Sequence, residues 1–232
     1  MHKKFKLLFI GFLISFGAYS QHDSQAQTIL FTAYKKYKTY QNIKINFVSI
    51  TENKSTGLNQ NLEGIAYVKG LHHVIELPDR EIISDGHTIW TYMKASQQLF
   101  ISNYDPSDGK ITPDEIFRED FLSKGLRYTY IDQDSEESQG GLMPAVRAED
   151  VIEFSPTQPN RNYLNFRLFI DRETHLINHW KVFMKNGSTI DYQLNITPDV
   201  EISHNFFKYT PHRFSGVKEV IDLRKPGTVS QN

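Results

Sequence analysis

The chain has 232 residues, no cysteine and a formal net charge of −1 at pH 7. Without cysteine there can be no disulfide framework, no thiol catalysis and no cysteine-linked lipid anchor. A chain with slightly more acidic than basic residues is a poor candidate for nucleic-acid binding. Its length is enough for one domain with a single large core.

The first twenty residues are typical of a secretory signal peptide. Three lysines precede an apolar run over 7–17, and Ala18-Tyr19-Ser20 forms a small-x-small cleavage site before Gln21. The run is about half the length needed to span a bilayer, which favours a cleaved signal over an uncleaved anchor. We therefore expect export to the periplasm or the extracellular space, with residues 21–232 forming one domain.

Two helices are predicted. Apolar residues recur at three- and four-residue spacing from Ser24 to Thr39, with Asp23 or Ser24 as the N-cap and lysines in the last turn. Thr112-Pro113-Asp114-Glu115 is a capping box with proline at the first helical position, and Gly125 can end the second helix.

Between and after these helices the hydrophobic period is two. Six alternating segments between residues 43 and 102, with short turns, predict an antiparallel meander, and four more between 151 and 196 resume it. Short strands are also expected at Arg127–Ile131, Phe206–Tyr209 and Val220–Leu223. The prediction is a mainly β (α+β) chain: one strongly curved antiparallel sheet of roughly ten or eleven strands with two helices over one face.

One hairpin, the sequence EIISDGHTIWTY from Glu81 to Tyr92, poses a specific question. Asp85-Gly86 between β-formers predicts a tight type I′ turn. Trp90 and Tyr92 then point the same way, because alternate residues of a strand share a face. Two large aromatic side chains side by side either fill a core or line a site.

No motif for nucleophilic, phosphate-binding or dinucleotide chemistry is present, so we expect a protein that is not an enzyme and needs no cofactor. His72 and His73 would point to opposite faces of a strand, and His175 and His179 would lie too far apart along one. The acidic loop that begins at Asp132 lacks the glycine and closing carboxylate of a calcium loop. We therefore expect no metal site.

The residues alone leave two interpretations of the interior open. A curved sheet covered by amphipathic helices can be packed solid, or it can enclose a cavity for an apolar ligand. The pattern favours the packed core, although the many aromatic and aliphatic residues also suit a hydrophobic ligand.

Several of these segments resemble the LolA family, the periplasmic carriers of outer-membrane lipoproteins. IISDGHTIWTY is similar to the S-D-G-x-T-[IL]-W-x-Y hairpin of that family, and LEGIAYVKG is similar to its second strand. TPDEIF stands at the place of the family's middle helix, and FFKYTPHRFSGVKEVID resembles its C-terminal motif. The resemblance extends from about residue 24 to residue 222. It implies an unclosed β-barrel with a helical lid over a hydrophobic cavity.

The resemblance also implies a function and a set of site residues. A protein of this family would be a monomer that binds the acyl chains of lipoproteins. It would receive them from an inner-membrane ABC-type release complex and pass them to an outer-membrane acceptor that the sequence does not identify. The implied cavity residues are Ile43, Ile45, Phe47, Ala66, Val68, Val74, Trp90 and Tyr92. The implied lid residues are Ile29, Leu30, Ala33, Ile116, Phe117 and Phe121.

Two positions depart from the family pattern. Gly70 stands where the family commonly has an arginine that hydrogen-bonds the lid shut, and Glu76 stands where an apolar or aromatic residue is expected. Both departures leave a second interpretation open: a periplasmic lipid-binding or lipid-sensing protein of the same fold that does not deliver lipoproteins.

Overall fold

The computed structural model describes residues 23–105, 116–117, 125–131, 149–158, 161–203, 205–214 and 216–224. Within them one helix, α1, covers Ser24–Lys38. Asp23 is its N-cap, because the carboxylate accepts hydrogen bonds from the backbone N–H groups of Gln25 and Ala26. The predicted first helix is confirmed. Of the predicted second helix only Ile116 and Phe117 are described, and both pack against the core.

Twelve strands of the described residues form one sheet. Their bounds are β1 Ile43–Asn53, β2 Leu58–Lys69, β3 His72–Glu76, β4 Arg80–Ser84, β5 Thr88–Met93, β6 Gln98–Asn103, β7 Leu126–Ile131, β8 Glu149–Pro156, β9 Tyr163–Asp171, β10 Ile177–Met184, β11 Thr189–Pro198 and β12 Glu219–Asp222. The spatial order is β12-β6-β5-β4-β3-β2-β1-β11-β10-β9-β8-β7. Two antiparallel meanders, β1–β6 and β7–β11, are thus joined side by side through the pairing of β1 with β11.

The barrel is not closed, since β12 and β7 stand at opposite ends of the strand order. The predicted fold class, a mainly β chain with an unclosed curved sheet and a helix over one face, is confirmed. Two details differ. β12 pairs parallel with β6, whereas an entirely antiparallel sheet was expected. The predicted strand at Phe206–Tyr209 is wrong, because residues 205–208 form turns.

Each face of the sheet carries its own apolar layer. α1 covers the face that we call the helix face, where Ala26, Leu30 and Ala33 pack on the inward side chains of β7–β11. The opposite face, over β2–β6, is covered by residues 202–203, 205–214 and 216–217, which we call the C-terminal strap. A sheet covered on both sides buries apolar residues on both sides, so period-two alternation alone does not indicate which face is inside.

The hairpin at Asp85-Gly86 is present, but its turn is not type I′. Three residues connect β4 to β5, and only Gly86 has a positive φ, of 89°. The Asp85 carboxylate instead accepts hydrogen bonds from the N–H groups of His87 and Thr88. Such a side-chain-capped turn relieves Asp85 of the left-handed conformation that type I′ requires.

Candidate functional site

A cavity of about 290 Å³ lies between α1 and the helix face. The apolar part of its wall comes from α1, from the Ile116–Phe117 segment and from β9 and β10. Its polar part lies around the end of α1. The lining residues are Leu30, Ala33, Tyr34, Tyr37, Lys38, Tyr40, Gln41, Gly70, Ile116, Phe117, Leu168, Ile170 and Ile177. Such a wall can hold an apolar chain with a polar group at one end.

Most of the predicted lid residues contact this cavity. Leu30, Ala33, Ile116 and Phe117 line it. Ile29 packs against the core beside it. Phe121 lies outside the described residues. The described residues of these segments therefore form one side of the cavity.

The predicted wall residues of β1 and β2 occupy the helix face, but none of them lines the cavity under α1. Ile43 and Val68 line a small adjoining cavity of about 50 Å³. Ile45, Phe47 and Ala66 belong to the neighbouring packed core, each 5 % exposed or less. These five side chains hold the sheet together next to the cavity.

Val74, Trp90 and Tyr92 do not share the face of Ile43 and Phe47. Strand register decides this: Val68 pairs with His73, and Ala66 pairs with Ile75, so Val74 points to the opposite side. Ile83 pairs with Val74 and with Trp90, which places Trp90 on that same opposite side. The expectation of a single wall containing all eight residues is therefore wrong.

Trp90 and Tyr92 pack instead under the C-terminal strap. Trp90 stacks on Tyr209 with ring centroids 5.2 Å apart, and Tyr92 stacks on Phe214 at 4.5 Å. Arg213 of the strap forms an ion pair with Glu81 of β4 at 2.8 Å. The two aromatic side chains of the hairpin thus belong to a structural core that attaches the strap to the sheet.

The most important lining residues that the sequence interpretation missed are on β9 and β10. Leu168, Ile170 and Ile177 form the floor of the cavity beneath α1. The alternation of Phe166, Leu168 and Ile170 indicated a half-buried strand. Only the pairing of β1 with β11, across about 150 residues of sequence, brings this strand under the helix.

Two side chains, Asp23 at the N-cap and Tyr37 near the end of α1, connect the two ends of the helix to the sheet. Asp23 accepts a hydrogen bond from the N–H of Tyr130, at 3.1 Å, and its own N–H donates to the carbonyl of Tyr128. Both partners lie on the edge strand β7. At the other end, the Tyr37 hydroxyl accepts a hydrogen bond from the N–H of Ile177 at 2.8 Å. These contacts hold α1 closed over the cavity.

The environments of these two groups change their pKa values in opposite directions. Partial burial disfavours the Asp23 carboxylate, but hydrogen bonds from Tyr130, Gln25 and Ala26 outweigh it and lower the pKa below the ordinary 3.8. Burial raises the pKa of Tyr37 well above the ordinary 10.0, against the opposing effect of the hydrogen bond from Ile177. At neutral pH the cap is therefore charged and the tyrosine is neutral.

The two departures from the family pattern have different consequences. Gly70 lies at the turn between β2 and β3 with φ of 60° and lines the cavity, so this position does border the site. Glu76 pairs with Ile65 and Glu81 and shares the face of Val74, away from the cavity. Glu76 thus has no direct bearing on what the cavity holds.

Among the residues that the structure describes, no group of three or more His, Asp or Glu side chains could hold a metal ion. No helix in the described part of the chain is long and apolar enough to cross a membrane.

The architecture is the LolA-like fold that the sequence resemblance implied, an unclosed barrel with a helix across an apolar face. No protein-family model matches the chain. No curated protein matches its sequence either.

The chain is similar to several solved structures. A conserved protein from Thermus thermophilus is 11 % identical with a TM-score of 0.51, covering 85 % of this chain and 99 % of that one. A putative outer-membrane lipoprotein-sorting protein domain from Vibrio parahaemolyticus is 9 % identical with a TM-score of 0.46, covering 79 % and 97 %. A LolA superfamily protein from Nitrosomonas europaea is 11 % identical with a TM-score of 0.44, covering 79 % and 97 %. At 11 % identity, the likeness to the Thermus protein is one of fold alone.

Proposed function

We propose that the protein is a periplasmic carrier that holds the acyl chains of lipoproteins under α1 and moves them from the inner to the outer membrane. The observation that carries this proposal is the cavity of about 290 Å³, apolar on its sheet side and polar at the end of α1. Cleavage of residues 1–20 on export, receipt from an inner-membrane ABC-type release complex and action as a monomer are parts of the same proposal.

The energetics of an acyl chain suit a closable cavity. Each methylene removed from water contributes about 0.8 kcal/mol, so a rigid open cup would bind a long chain too tightly to release it. A helix that must leave its apolar bed supplies an opposing free energy. Binding then displaces α1, and the return of α1 favours release.

The size of the cavity favours one alternative. A volume of about 290 Å³ stands at the lower end of the roughly 300–1,000 Å³ typical of ligand sites. It suits one acyl chain better than the several chains of a lipoprotein, unless α1 moves. The second candidate function is therefore a periplasmic lipid-binding or lipid-sensing protein that does not deliver lipoproteins.

The first experiment measures acyl binding with an internal reporter. The chain has two tryptophans, of which Trp180 is fully buried on the helix face beside Leu168 and Trp90 lies under the strap. In Trp90→Phe, a dansyl-labelled fatty acid in the cavity should quench Trp180 by energy transfer. In Trp180→Phe, the more distant Trp90 should be quenched much less.

A pair of helix variants locates the bound chain. Ala33→Leu adds apolar volume inside the cavity and should weaken binding, whereas Gln27→Leu adds the same side chain on the exposed side of α1 and should not. Equal binding by both variants would contradict the cavity as the site.

Transfer of a triacylated lipoprotein from inner-membrane to outer-membrane vesicles distinguishes the carrier from the lipid-binding alternative. A protein of the alternative class would bind the probe and fail in transfer.

A further inference from the structure

The outward side of α1 has an unusual composition for a solvent-exposed helix face. Phe31, Tyr34, Lys35 and Lys38 follow one another at three- and four-residue spacing and so form one stripe, which we call the basic stripe. Phe31 is 54 % exposed although α1 already buries a separate apolar side against the sheet. The helix contains no acidic residue at all.

The lysines of the basic stripe lie over aromatic rings of the same stripe. The Lys35 ammonium is 4.3 Å from the centroid of the Phe31 ring, and the Lys38 ammonium is 5.4 Å from that of Tyr34. Such pairs place a cation and an apolar ring together at the surface. An interface between acyl chains and anionic headgroups accepts both groups at once, whereas water solvates only the cation.

The charge of the stripe is a local property. The whole chain has 26 basic and 27 acidic residues, so a general basic character does not explain three lysines within the last turn of α1. Lys69, at the end of β2, shares a surface pocket with Asp199 and Glu201, so the positive charge belongs to the end of α1 itself. Charge complementarity therefore points to an anionic partner.

The position of the stripe relates it to the cavity. Tyr34 and Lys38 belong to the stripe and also line the cavity. The turn at Gly70, which lines the cavity as well, is followed by Leu71, 37 % exposed. A flat partner lying on the stripe would therefore lie against the polar end of the cavity.

From these observations we propose that the basic stripe, together with the neighbouring exposed Lys36, docks the protein on an anionic phospholipid bilayer, with Phe31 inserted among the headgroups and Lys35 and Lys36 on lipid phosphates. Docking in this orientation places the polar end of the cavity beside the membrane. This inference does not depend on what the cavity carries. Each lysine near an anionic surface is worth roughly fivefold in partitioning, so the attachment is weak, reversible and sensitive to salt.

The test is co-sedimentation of the purified exported protein with vesicles of equal parts phosphatidylglycerol and phosphatidylcholine, against phosphatidylcholine alone. We expect binding to the anionic vesicles only, and its loss at about 1 M salt, where the screening length falls to about 3 Å. Lys35→Gln/Lys36→Gln should lower the partition coefficient roughly 30-fold. Phe31→Ser should lower the partition coefficient and leave its dependence on salt unchanged.

The matched control is Lys54→Gln/Lys218→Gln, which removes the same charge from exposed positions at the opposite end of the sheet. This control should bind as the wild type does. Equal loss in both double variants would reduce the effect to net charge and overturn the proposal. Failure of the wild type to bind anionic vesicles would also overturn it and would leave an acidic protein surface as the partner of the stripe. Either result leaves the dansyl-fatty-acid assay, and with it the proposed carrier function, untouched.

Discussion

The Asp23 side chain connects the start of α1 to the sheet edge, and one substitution removes these side-chain contacts. Its two carboxylate oxygens serve different structures: Oδ1 accepts from Gln25 and Ala26 at the start of α1, and Oδ2 accepts from Tyr130 on β7. Asp23→Ala removes both attachments at once. It also leaves the N–H of Tyr130 at a sheet edge without its acceptor.

The expected magnitude follows from these bonds. Loss of an N-cap costs about 0.5–2 kcal/mol, and a hydrogen bond to a charged acceptor contributes about 1.5–3 kcal/mol when buried. Because water reaches this site, values near the low end apply, and the sum is about 2 kcal/mol. For a chain of this size the melting temperature should fall by roughly 4–8 °C.

The assay is urea unfolding combined with amide hydrogen exchange. In Asp23→Ala, exchange should accelerate at Tyr130 and along α1, because the helix opens more often over the cavity. The control is Asp85→Ala, which removes a similar carboxylate that caps the β4–β5 turn through His87 and Thr88. This control should speed exchange at its own turn and leave α1 unchanged.

The pH dependence provides a second readout. The folded pKa of Asp23 is lowered, so its contribution is present above 3.8 and is lost as the pH falls through the folded value. The stability difference between wild type and Asp23→Ala should therefore shrink below about pH 4. Unchanged exchange at Tyr130 and α1 in Asp23→Ala would refute the view that this residue holds the lid.

Three further substitutions test other contacts of the site and its supports. Gly64→Ala should cost about 1–3 kcal/mol in urea unfolding, because a Cβ there would meet Phe47 at 2.5 Å and Leu77 at 2.7 Å, and Phe47→Leu should restore part of the loss. Tyr37→Phe leaves the Ile177 N–H without an acceptor and should lower the free energy of unfolding by about 1 kcal/mol at neutral pH. The pKa of Tyr37 is raised on folding, so its contribution to stability is present below 10.0 and is lost as the pH rises through the folded value. The stability difference between the wild type and Tyr37→Phe should therefore shrink in alkali. Arg213→Gln removes the ion pair between the strap and Glu81, and it should shift the fluorescence emission of Trp90 to the red without moving that of Trp180. The control Arg224→Gln removes an exposed ion pair and should change neither emission.

Local chemistry accounts for what the sequence predicted well. The cap at Asp23, the three- and four-residue spacing of Leu30 and Ala33, and the lysines of the last turn are all properties of one short segment. The hairpin at Asp85-Gly86 is local too, although the side chain of Asp85 selected another turn type. Such features need no knowledge of distant parts of the chain.

The error at Val74, Trp90 and Tyr92 came from choosing faces by apolarity. The tight turn between β2 and β3 pairs Lys69 with His72, so Val68 lies opposite His73 and Val74 lies outward. Counting the register through this turn would have placed Val74 correctly. Apolar residues do not identify the inner face here, because the C-terminal strap makes the outward face a second core.

Long-range pairings were beyond prediction for a different reason. The hydrogen bond from Tyr130 to Asp23 joins residues 107 apart, and that from Ile177 to Tyr37 joins residues 140 apart. Neither donor is distinctive in sequence, since each is a backbone N–H. The way the lid is attached therefore becomes visible only once β7 and β10 are in place.

Under the proposed function, the attachment of α1 also sets a threshold for the bound acyl chain. Asp23 and Tyr37 together hold the helix with a few kcal/mol, at about 1–3 kcal/mol for each contact. An acyl chain contributes about 0.8 kcal/mol for each buried methylene, so roughly five methylenes offset these two contacts, and further methylenes are needed to offset the apolar burial of Ala26, Leu30 and Ala33 under α1. A short-chain amphiphile can therefore occupy the cavity with α1 in place, whereas a long chain has enough binding energy to release both ends of the helix. An opening that depends on chain length in this way would let the same fold admit a long acyl chain and remain closed in its absence.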